Sequence, residues 1–431
     1  MASSTHFGPP RGMRDFYPED MRLRNRVFDA WRQAALRSGF SEYDACVVES
    51  LELLKRKAGE EIVDQIYHFQ DKSGRDLALR PEMTPTLARM IAARQGSLTF
   101  PLRWFTTAQC FRYERMTRGR KREHYQWNLD IIGEPTVAAE AEVIATAANA
   151  MRSLGLDARH YRVHFSSREL LAELLSRLGI TPEHHAATFL ALDKRGKIND
   201  EDLESLMRNE GISPDLIPAV FKLLEVSTID EAHALLGDRS AALAEIDTFR
   251  DVLAAYGIAD LVVFNIGVIR GLSYYTGIVF EAFDTDSSLR AIFGGGRYGK
   301  LLASIGGADM AGVGLGFGDV VIAELLADKG LATTDGEIPQ DLVIGFMQPE
   351  QHITAVKIAT ALRQQGKTVH LALSPEKPKT FFARAGGSGA RQGIYLGPDD
   401  LESGTIRIKN LADRSQTEMP LRELLEPGSA A

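Results

Sequence analysis

The sequence predicts an α+β protein in two parts, and three patterns along its 431 residues support this. Residues 104–133 read as two strands joined by a basic loop, which is the pattern of an antiparallel hairpin. Residues 178–235 carry apolar residues at helical spacing, interrupted only by loop signals. After residue 341, strands and helices alternate, which predicts a small sheet covered by helices.

The first part is predicted to combine the hairpin with helices and further strands. Its other elements, in chain order, are a helix over residues 23–36 that stops at Gly39, a strand entering a helix over 40–54, an alanine-rich helix over 137–154 and strands over 261–264 and 278–283. The three glycines at 294–296 predict a tight turn. Residues 327–340 have the composition of a linker, so the chain is expected to divide there.

The second part is predicted from the pattern of apolar residues after the linker, where short strand-like and helix-like segments alternate. A buried-type strand over residues 341–347 is followed by a helix over 350–365, a strand over 367–373, a helix over 378–390, strands over 393–397 and 405–411, and a short terminal helix. Composition alone fits any small α/β module.

The hairpin carries polar and ionic groups along one predicted face. Strand alternation places Cys110, Arg112 and Glu114 together on the first strand. On the second strand it separates two sets, which are Gln126, Asn128 and Asp130 on one face and Tyr125, Trp127, Leu129 and Ile131 on the other. The connecting loop adds five cations, which are Arg115, Arg118, Arg120, Lys121 and Arg122.

Two interpretations of this polar face stay open from the residues alone. Such side chains either are solvated or face a polar ligand, because burying them without partners costs free energy. Five neighbouring cations also repel one another unless an anion lies among them. The face offers a guanidinium, carboxylates and an amide, which together suit a zwitterionic substrate and a phosphate. A ligand site is therefore favoured over an ordinary amphipathic hairpin.

Composition narrows the class of protein. With 50 Lys and Arg against 58 Asp and Glu, the net charge is −8, so a nucleic-acid partner would have to bind local basic patches. Cys46 and Cys110 allow no disulfide framework and do not have zinc-type spacing. We find no apolar run long enough for a membrane span and no signal-peptide core, so we expect a cytoplasmic protein.

Several motifs resemble the class II aminoacyl-tRNA synthetases, and their combination resembles the histidyl-tRNA synthetase family. FRYER at residues 111–115, with its basic loop and returning strand, is similar to motif 2 of the class. The other matching segments are PRGMRDFYPED (10–20), LRPEMTPTLARMI (79–91), RGLSYYTGIVFEAF (270–283), FGGGRYGKLL (293–302) and GVGLGFGDVVIAELL (312–326). They are similar, in that order, to the amino-terminal signature, the Arg-Pro-Glu-x-Thr element, the two histidine-specific motifs and motif 3. The resemblance covers nearly the whole chain.

The resemblance implies a domain organisation. Residues 1–330 would form a class II catalytic domain around an antiparallel sheet, with a helical insertion at about 178–235. Residues 331–340 would be the linker, and 341–431 an α/β anticodon-binding domain. Residues 40–54 match motif 1, which builds the dimer interface in class II enzymes, so the resemblance also implies a homodimer.

The resemblance implies a ligase that activates L-histidine with ATP and then transfers histidine to the 3′ end of its tRNA. Arg112 matches the arginine that clamps the α-phosphate and the amino-acid carboxylate, and Arg270 matches the arginine on the other side of that phosphate. Both are thus implied as catalytic residues. Guanidinium groups suit this task because they match phosphate geometry and keep their proton. ATP, Mg²⁺, L-histidine and the tRNA for histidine are the implied ligands, with no membrane partner.

The family match also assigns residues to the two substrates. The implied histidine-binding residues are Glu82, Thr84, Arg112, Gln126, Asp130, Arg270, Tyr274, Tyr275 and Tyr298. The implied ATP-binding residues are Arg112, Glu114, Arg120 and Arg270. Within the first set, Glu82 and Gln126 would hold the α-ammonium with support from Thr84. Asp130 stands where the family has glutamate, and the tyrosines would face the imidazole. No residue is assigned to a metal.

Besides Asp130, the chain departs from the family pattern at four positions. Cys46 stands where proline is usual, and Ser273 where aspartate is usual. Val320 and Val321 stand where motif 3 normally ends in a Glu-Arg pair, whose arginine packs on adenine and contacts the γ-phosphate. Four arginines could replace it, namely Arg118, Arg120, Arg122 and Arg297.

These departures leave two other hypotheses. One is a catalytically silent, histidine-sensing paralogue, which would normally lack the carboxy-terminal module, so the presence of residues 341–425 argues against it. The other is a silent RNA- or histidine-binding protein. The presence of Arg112 and Arg270 argues against it, whereas Val321 argues for it.

Overall fold

The chain forms two compact units, Met1–Thr333 and Thr334–Ala431. The computed structural model describes residues 7–58, 60–195, 198–237, 240–269, 275–299, 301–332 and 340–425. Among the helices in these ranges, none combines the length and the apolar character needed to cross a membrane.

The first unit is built on an eight-stranded sheet in the order β1-β5-β6-β11-β10-β9-β7-β8. All neighbours in this sheet are antiparallel except the two outermost pairs, β1 with β5 and β7 with β8. Its strands are β1 (Ser41–Glu42), β5 (Leu102–Phe111), β6 (Glu123–Ile132), β7 (Tyr161–Ser167), β8 (Val262–Phe264), β9 (Tyr275–Asp284), β10 (Phe293–Tyr298) and β11 (Gly312–Gly318). A small sheet in the order β2-β4-β3 adds β2 (Val48–Ser50), β3 (His68–Gln70) and β4 (Asp76–Leu79). This mixed, largely antiparallel architecture confirms the predicted fold class.

Twelve α-helices in the described part of this unit surround the sheets. They are α1 (Pro18–Arg37), α2 (Leu51–Ala58), α3 (Thr84–Arg94), α4 (Ala138–Ser153), α5 (Arg168–Arg177), α6 (Pro182–Leu192), α7 (Asp200–Asn209), α8 (Ile217–Leu223), α9 (Ile229–Leu236), α10 (Ala241–Ala255), α11 (Leu301–Ser304) and α12 (Asp319–Asp328). The range 178–235 is helical as predicted, and side-chain oxygens of Asn199 and Thr228 cap α7 and α9.

The predicted alternation along the second hairpin strand is confirmed in β6. Trp127, Leu129 and Ile131 belong to the large core that includes residues of α1 and α4. The indole rings of Trp127 and Trp31 stack with centroids 5.8 Å apart. Because successive strand residues point to opposite faces, the polar set of β6 lies on the other side of the sheet. The burial of one face fixes which residues the other face presents.

The first hairpin strand ends earlier than predicted. β5 stops at Phe111, so Arg112 and Glu114 lie in the connection and not on the strand with Cys110. The Arg112 N–H still donates to the carbonyl of Arg122 at 2.9 Å, which holds the two arms of the connection together. Arg112 is therefore fixed by the base of the loop.

The predicted turn at residues 294–296 is wrong, because these glycines lie within β10 between β9 and β11. A Cβ added to Gly296 would lie 2.8 Å from the carbonyl oxygen of Ile278, closer than side chains tolerate. The glycines are thus explained by the close approach of neighbouring strands.

The segment matched to motif 1 is interrupted. Residues 40–54 do not form one strand entering a helix, since β1 pairs with the large sheet and β2 with the small one. Between them the Tyr43 side chain packs beside the buried Met83, Ala108 and Cys110. Tyr43 thus lies between β1 and β2, with its side chain packed into the protein where the strand is interrupted.

The predicted linker starts later than the composition suggests. α12 continues to Asp328, and Leu331 and Ala332 pack against the large core. The predicted boundary at 327 is therefore wrong for these residues, because apolar side chains hold them on the first unit. Residues 333–339 lie outside the described ranges.

The second unit is a five-stranded sheet in the order β13-β12-β14-β15-β16 with helices packed on it. Its elements are β12 (Leu342–Phe346), α13 (His352–Gln364), β13 (Val369–Leu371), α14 (Pro378–Gly386), β14 (Gln392–Leu396), α15 (Pro398–Ser403), β15 (Thr405–Asn410), β16 (Gln416–Pro420) and α16 (Leu421–Leu425). The first three strands in this order are parallel and the rest antiparallel. The sequence did not predict α15 and β16, both of which are short.

Candidate active site

Two adjacent cavities lie on the polar face of the large sheet. The first has a volume of about 200 Å³, and the second about 160 Å³. The residues that line both are Arg112, Gln126, Ala291, Gly318 and Val321. A ligand that spans the two cavities would therefore pass Arg112.

The first cavity brings together most of the residues predicted to bind histidine. Its lining includes Glu82, Thr84, Arg112, Gln126, Tyr275 and Tyr298. They come from distant parts of the chain, because α3, β6, β9 and β10 meet at this part of the sheet. Ile292 and Phe293 complete an apolar side of the cavity. The combination of carboxylate, amide, phenols and apolar wall suits a small zwitterion with a polar ring.

Glycines of β11 make room for the polar side chains of this cavity. A Cβ added to Gly316 would lie 2.7 Å from Nε2 of Gln126, and one added to Gly314 would collide with the Asp130 carboxylate. Glycine recurs at every second residue from 312 to 318, so one face of the strand carries no side chains. The side chains of Gln126 and Asp130 on β6 therefore occupy the space over this glycine face of β11.

A chain of hydrogen bonds fixes Gln126. Its Nε2 donates to Oδ1 of Asn128 at 3.0 Å, and its Oε1 lies 3.3 Å from Nε2 of His124. Burial, followed by the positive charge of Arg112, lowers the pKa of His124 to about 3. The imidazole is thus neutral near pH 7 and can donate to the amide oxygen. Gln126 is held with its amide at the border of the two cavities.

Asp130 lies beneath the first cavity instead of lining it. It is 1% exposed, and its Oδ1 accepts a hydrogen bond from the Tyr298 hydroxyl at 2.6 Å. Burial, followed by the negative charge of Asp130, raises the pKa of Tyr43 well above its ordinary value. The described geometry therefore connects Asp130 to the cavity through Tyr298, which Asp130 orients.

Arg112 is anchored at the wall shared by the cavities. Its Nε donates to the carbonyl oxygen of Pro81 at 3.0 Å. Among the described residues, no carboxylate forms an ion pair with Arg112. Its guanidinium is thus fixed by a neutral oxygen and keeps its full charge for an anion.

The second cavity is strongly cationic. Arg112, Arg120, Lys121 and Arg290 line it, whereas Glu114 is the one carboxylate in that lining. Glu114 forms an ion pair with Arg120. Burial lowers the pKa of Arg120, and the charges of Arg290 and Arg112 also lower it, against the opposite effect of Glu114. This excess of positive charge favours a multiply charged anion.

Two of the remaining loop cations, Arg118 and Arg122, have partners within the protein. Arg118 donates from Nε to Glu324 at 2.8 Å and also pairs with Asp328 at 2.6 Å, both on α12. The Gly119 N–H donates to Glu324 at 2.9 Å. The Arg122 guanidinium lies 4.0 Å from the ring centroid of Tyr113. Carboxylates of α12 thus reduce the repulsion that the sequence predicts for this loop.

Arg270, Ser273 and Tyr274 lie outside the described residues. In the described ranges, no cluster of three or more His, Cys, Asp or Glu side chains could hold a metal ion.

Other residues of the site had no predicted role. Asn128 could have been assigned from its position between Gln126 and Asp130 on the polar face. The alternating glycines of β11 were a readable signal of a strand face without side chains. Arg290 lies in the connection between β9 and β10, where neither periodicity nor motif marks it. Only the fold brings it beside the basic loop.

Comparisons with known proteins give the same family over nearly the whole chain. The family model for histidyl-tRNA synthetase matches residues 12–318, and an anticodon-binding domain model matches 341–427. A histidine–tRNA ligase of Arabidopsis thaliana, named chloroplastic/mitochondrial, is 42% identical over 416 residues, or 96% of this chain and 85% of the relative. One from Opitutus terrae is 38% identical over 96% of both chains.

A solved structure supports the same assignment at the level of the fold. The crystal structure of histidyl-tRNA synthetase from Nostoc sp. PCC 7120 matches with a TM-score of 0.78 and 23% identity, covering 97% of this chain and 99% of that one. The sequence matches extend over both units, and the motifs they include supply most of the residues around the two cavities. By these matches, the chain belongs to the histidyl-tRNA synthetase family.

Proposed function

We propose that the chain is a histidine–tRNA ligase whose two cavities bind histidine and the phosphates of ATP. A carboxylate oxygen of histidine attacks the α-phosphorus, the bond to the β-phosphate oxygen breaks, and pyrophosphate leaves. The terminal ribose hydroxyl of the tRNA then attacks the carbonyl carbon of the adenylate, and AMP leaves. One observation carries the proposal, which is that Arg112 lies on the wall shared by a small polar cavity and a cationic one.

The proposal assigns a task to each part of the site. Glu82, Gln126 and Thr84 bind the α-ammonium group, and Tyr275 and Tyr298 face the imidazole. Arg112 stabilises the charge that develops on the α-phosphate together with Arg270, and Tyr274 faces the imidazole, both as the family match implies. Asp130 acts by orienting Tyr298, and Arg120 and Glu114 contribute to the ATP site.

Mg²⁺ is proposed to enter as the complex with ATP. The phosphates would supply most of its ligands, as is common for magnesium–nucleotide sites. Glu114 is the carboxylate that the second cavity offers to such an ion. Mg²⁺ would neutralise phosphate charge there.

The test of the function is ATP–pyrophosphate exchange with each amino acid in turn. We expect exchange that depends on L-histidine and on Mg²⁺, followed by charging of the tRNA for histidine. A comparable rate with another amino acid would contradict the histidine assignment. A protein that binds histidine but exchanges nothing would support the silent paralogue, for which Val321 is the favouring observation.

The proposal includes a homodimer in the cytoplasm. Val47 and Val48 are about two-fifths exposed, at 40% and 39%, on or beside the edge strand β2 within the segment matched to motif 1. An exposed apolar edge strand is a candidate for pairing with another chain. The Arabidopsis relative carries an organellar name, so cell fractionation is the measurement that tests the location.

The domain assignment gives a prediction for a shortened chain. Every residue assigned to activation lies before residue 330, and residues 341–431 are proposed to bind the anticodon. A chain ending at Thr333 should therefore remain a dimer in sedimentation experiments and still exchange pyrophosphate. It should charge tRNA poorly because the anticodon end is no longer held. Unimpaired charging would mean that the second unit has another role.

A further inference from the structure

The position that lacks the motif 3 arginine lies at the border of the two cavities. Val321 is 7% exposed and lines both. Its Cγ2 atom lies 3.2 Å from the point that a Cβ of Gly119 would occupy. The wall of the phosphate-sized cavity is therefore apolar where the family has a cation.

Three of the four arginines considered from the sequence are engaged elsewhere. Arg118 pairs with carboxylates of α12, and Arg122 lies over Tyr113. Arg297 is buried against Glu140 of α4, on the opposite face of the sheet. Arg120 does line the cavity, but Glu114 already neutralises much of its charge. None of these supplies an additional cation beside Val321.

Arg290 does lie beside Val321. Its Cγ and Cδ atoms are 3.8 and 4.0 Å from the same point on Gly119 that the valine methyl approaches. No hydrogen bond or ion pair joins its guanidinium to another residue in the described part of the chain. The side chain is exposed along the second cavity, and its charge acts on that of Arg120. The Arg290 guanidinium has no carboxylate partner in the described part of the chain and lines the same cavity as the guanidinium groups of Arg112 and Arg120. It is therefore available to bind an anion.

We propose that Arg290 binds the β- and γ-phosphates of ATP in the second cavity and so replaces the arginine that position 321 lacks. The inference rests on the proposed function, since it assigns one residue of that ATP site. Arg112 on the shared wall contacts the α-phosphate, so the leaving pyrophosphate extends into the second cavity. Four cations there, opposed by one carboxylate, match a polyphosphate better than a neutral base. The planar guanidinium can bind two phosphate oxygens at once.

The decisive variant is Arg290→Ala, measured by pyrophosphate exchange. We expect kcat/KM for ATP to fall by about 10²–10³, the scale for losing one preorganised charged donor. The KM for pyrophosphate should rise as well, because pyrophosphate carries the same two phosphates. The KM for histidine should change by less than about threefold, since the first cavity keeps its contacts. Arg290→Lys should recover only part of the loss.

A second variant moves the charge back to the family position. Val321→Arg in the Arg290→Ala background should recover at least about tenfold of the lost kcat/KM for ATP, because the two side chains approach the same point on Gly119. Arg159→Ala is the matched control. The Arg159 side chain pairs with Asp157, and the Arg159 carbonyl oxygen accepts a hydrogen bond from the hydroxyl of Thr285. Thr285 lies in the β9–β10 connection, at the opposite end from Arg290. This control should leave all kinetic constants unchanged.

The outcomes separate the inference from the proposed function. If the unaltered protein shows no histidine-dependent exchange, the function itself is wrong. If it exchanges, and Arg290→Ala keeps its KM values for ATP and pyrophosphate, the Arg290 assignment is wrong. A rise in the KM for ATP without a rise for pyrophosphate would assign Arg290 to the adenosine moiety and overturn the phosphate role. Equal losses for histidine and ATP would indicate a structural residue.

Discussion

Replacing Arg112 by alanine is expected to lower the rate of histidine activation by about 10²–10³. The guanidinium lies on the wall between the cavities and is held by the Pro81 carbonyl at 3.0 Å. A fixed cation at this place needs no reorganisation when charge builds on the α-phosphate. Its removal should therefore act mainly on the transition state and appear in kcat.

The measurement is adenylate formation in a single turnover, compared with histidine binding in the absence of ATP. Arg112→Lys should recover part of the rate, because an ammonium cannot present a planar fork to phosphate and carboxylate together. Arg103→Ala is the control, since Arg103 lies on β5, the strand that leads to Arg112, and pairs with Glu142 away from the cavities. Normal activation by Arg112→Ala, or a loss of histidine affinity as large as the loss of rate, would contradict the transition-state role.

The local part of this site could be predicted from the sequence. Alternation along β6 separated Gln126 and Asp130 from Trp127 and Leu129, because a strand with one buried face has only one workable register. The family motifs indicated Glu82, Tyr275 and Tyr298, which do line the first cavity or contact its wall. Such predictions succeed where a residue's environment is set by its immediate neighbours or by a motif that contains it.

The other features of the site could not be predicted, because they depend on contacts between segments that are far apart in the chain. The glycines at 294–296 look like a turn by themselves, and only the neighbouring β11 explains why a strand there excludes side chains. The sequence makes Arg297 a candidate for phosphate binding, whereas the fold pairs it with Glu140, 157 residues away. Arg290 has no motif and becomes a site residue because the fold brings its loop to Gly119. No periodicity in a single sequence encodes such pairings.

The largest effect on stability is expected from Arg297→Ala. Arg297 is 7% exposed and Glu140 is fully buried, and their two hydrogen bonds measure 2.7 and 2.5 Å. Arg297 also donates to the carbonyl oxygens of Glu134 and Thr136, which begin the segment leading into α4. Removing one partner of a buried ion pair leaves the other charge without compensation. The free energy of unfolding of the first unit should fall by about 3–5 kcal/mol.

Two further variants test this cause. Glu140→Gln in the Arg297→Ala background should recover part of the loss, because it removes the uncompensated charge. Arg103→Ala breaks the more exposed pair with Glu142 and should cost less than about 1 kcal/mol. Similar losses for the two arginines would contradict the buried-pair explanation.

The loss caused by Arg297→Ala should also depend on pH in a known direction. Burial raises the pKa of the Glu140 carboxyl above its ordinary 4.5 even though Arg297 opposes the shift, so removing Arg297 raises it further. A carboxyl with a raised pKa binds its proton more tightly when folded, so its penalty is absent at low pH and grows as the pH rises through that pKa. The destabilisation should thus be smaller at pH 5 than at pH 8. Well below its melting temperature, the variant should keep the unaltered KM for ATP, because Arg297 lies across the sheet from both cavities. A pH-independent loss, or a raised KM for ATP in the folded variant, would show that Arg297 does not act through the buried Glu140.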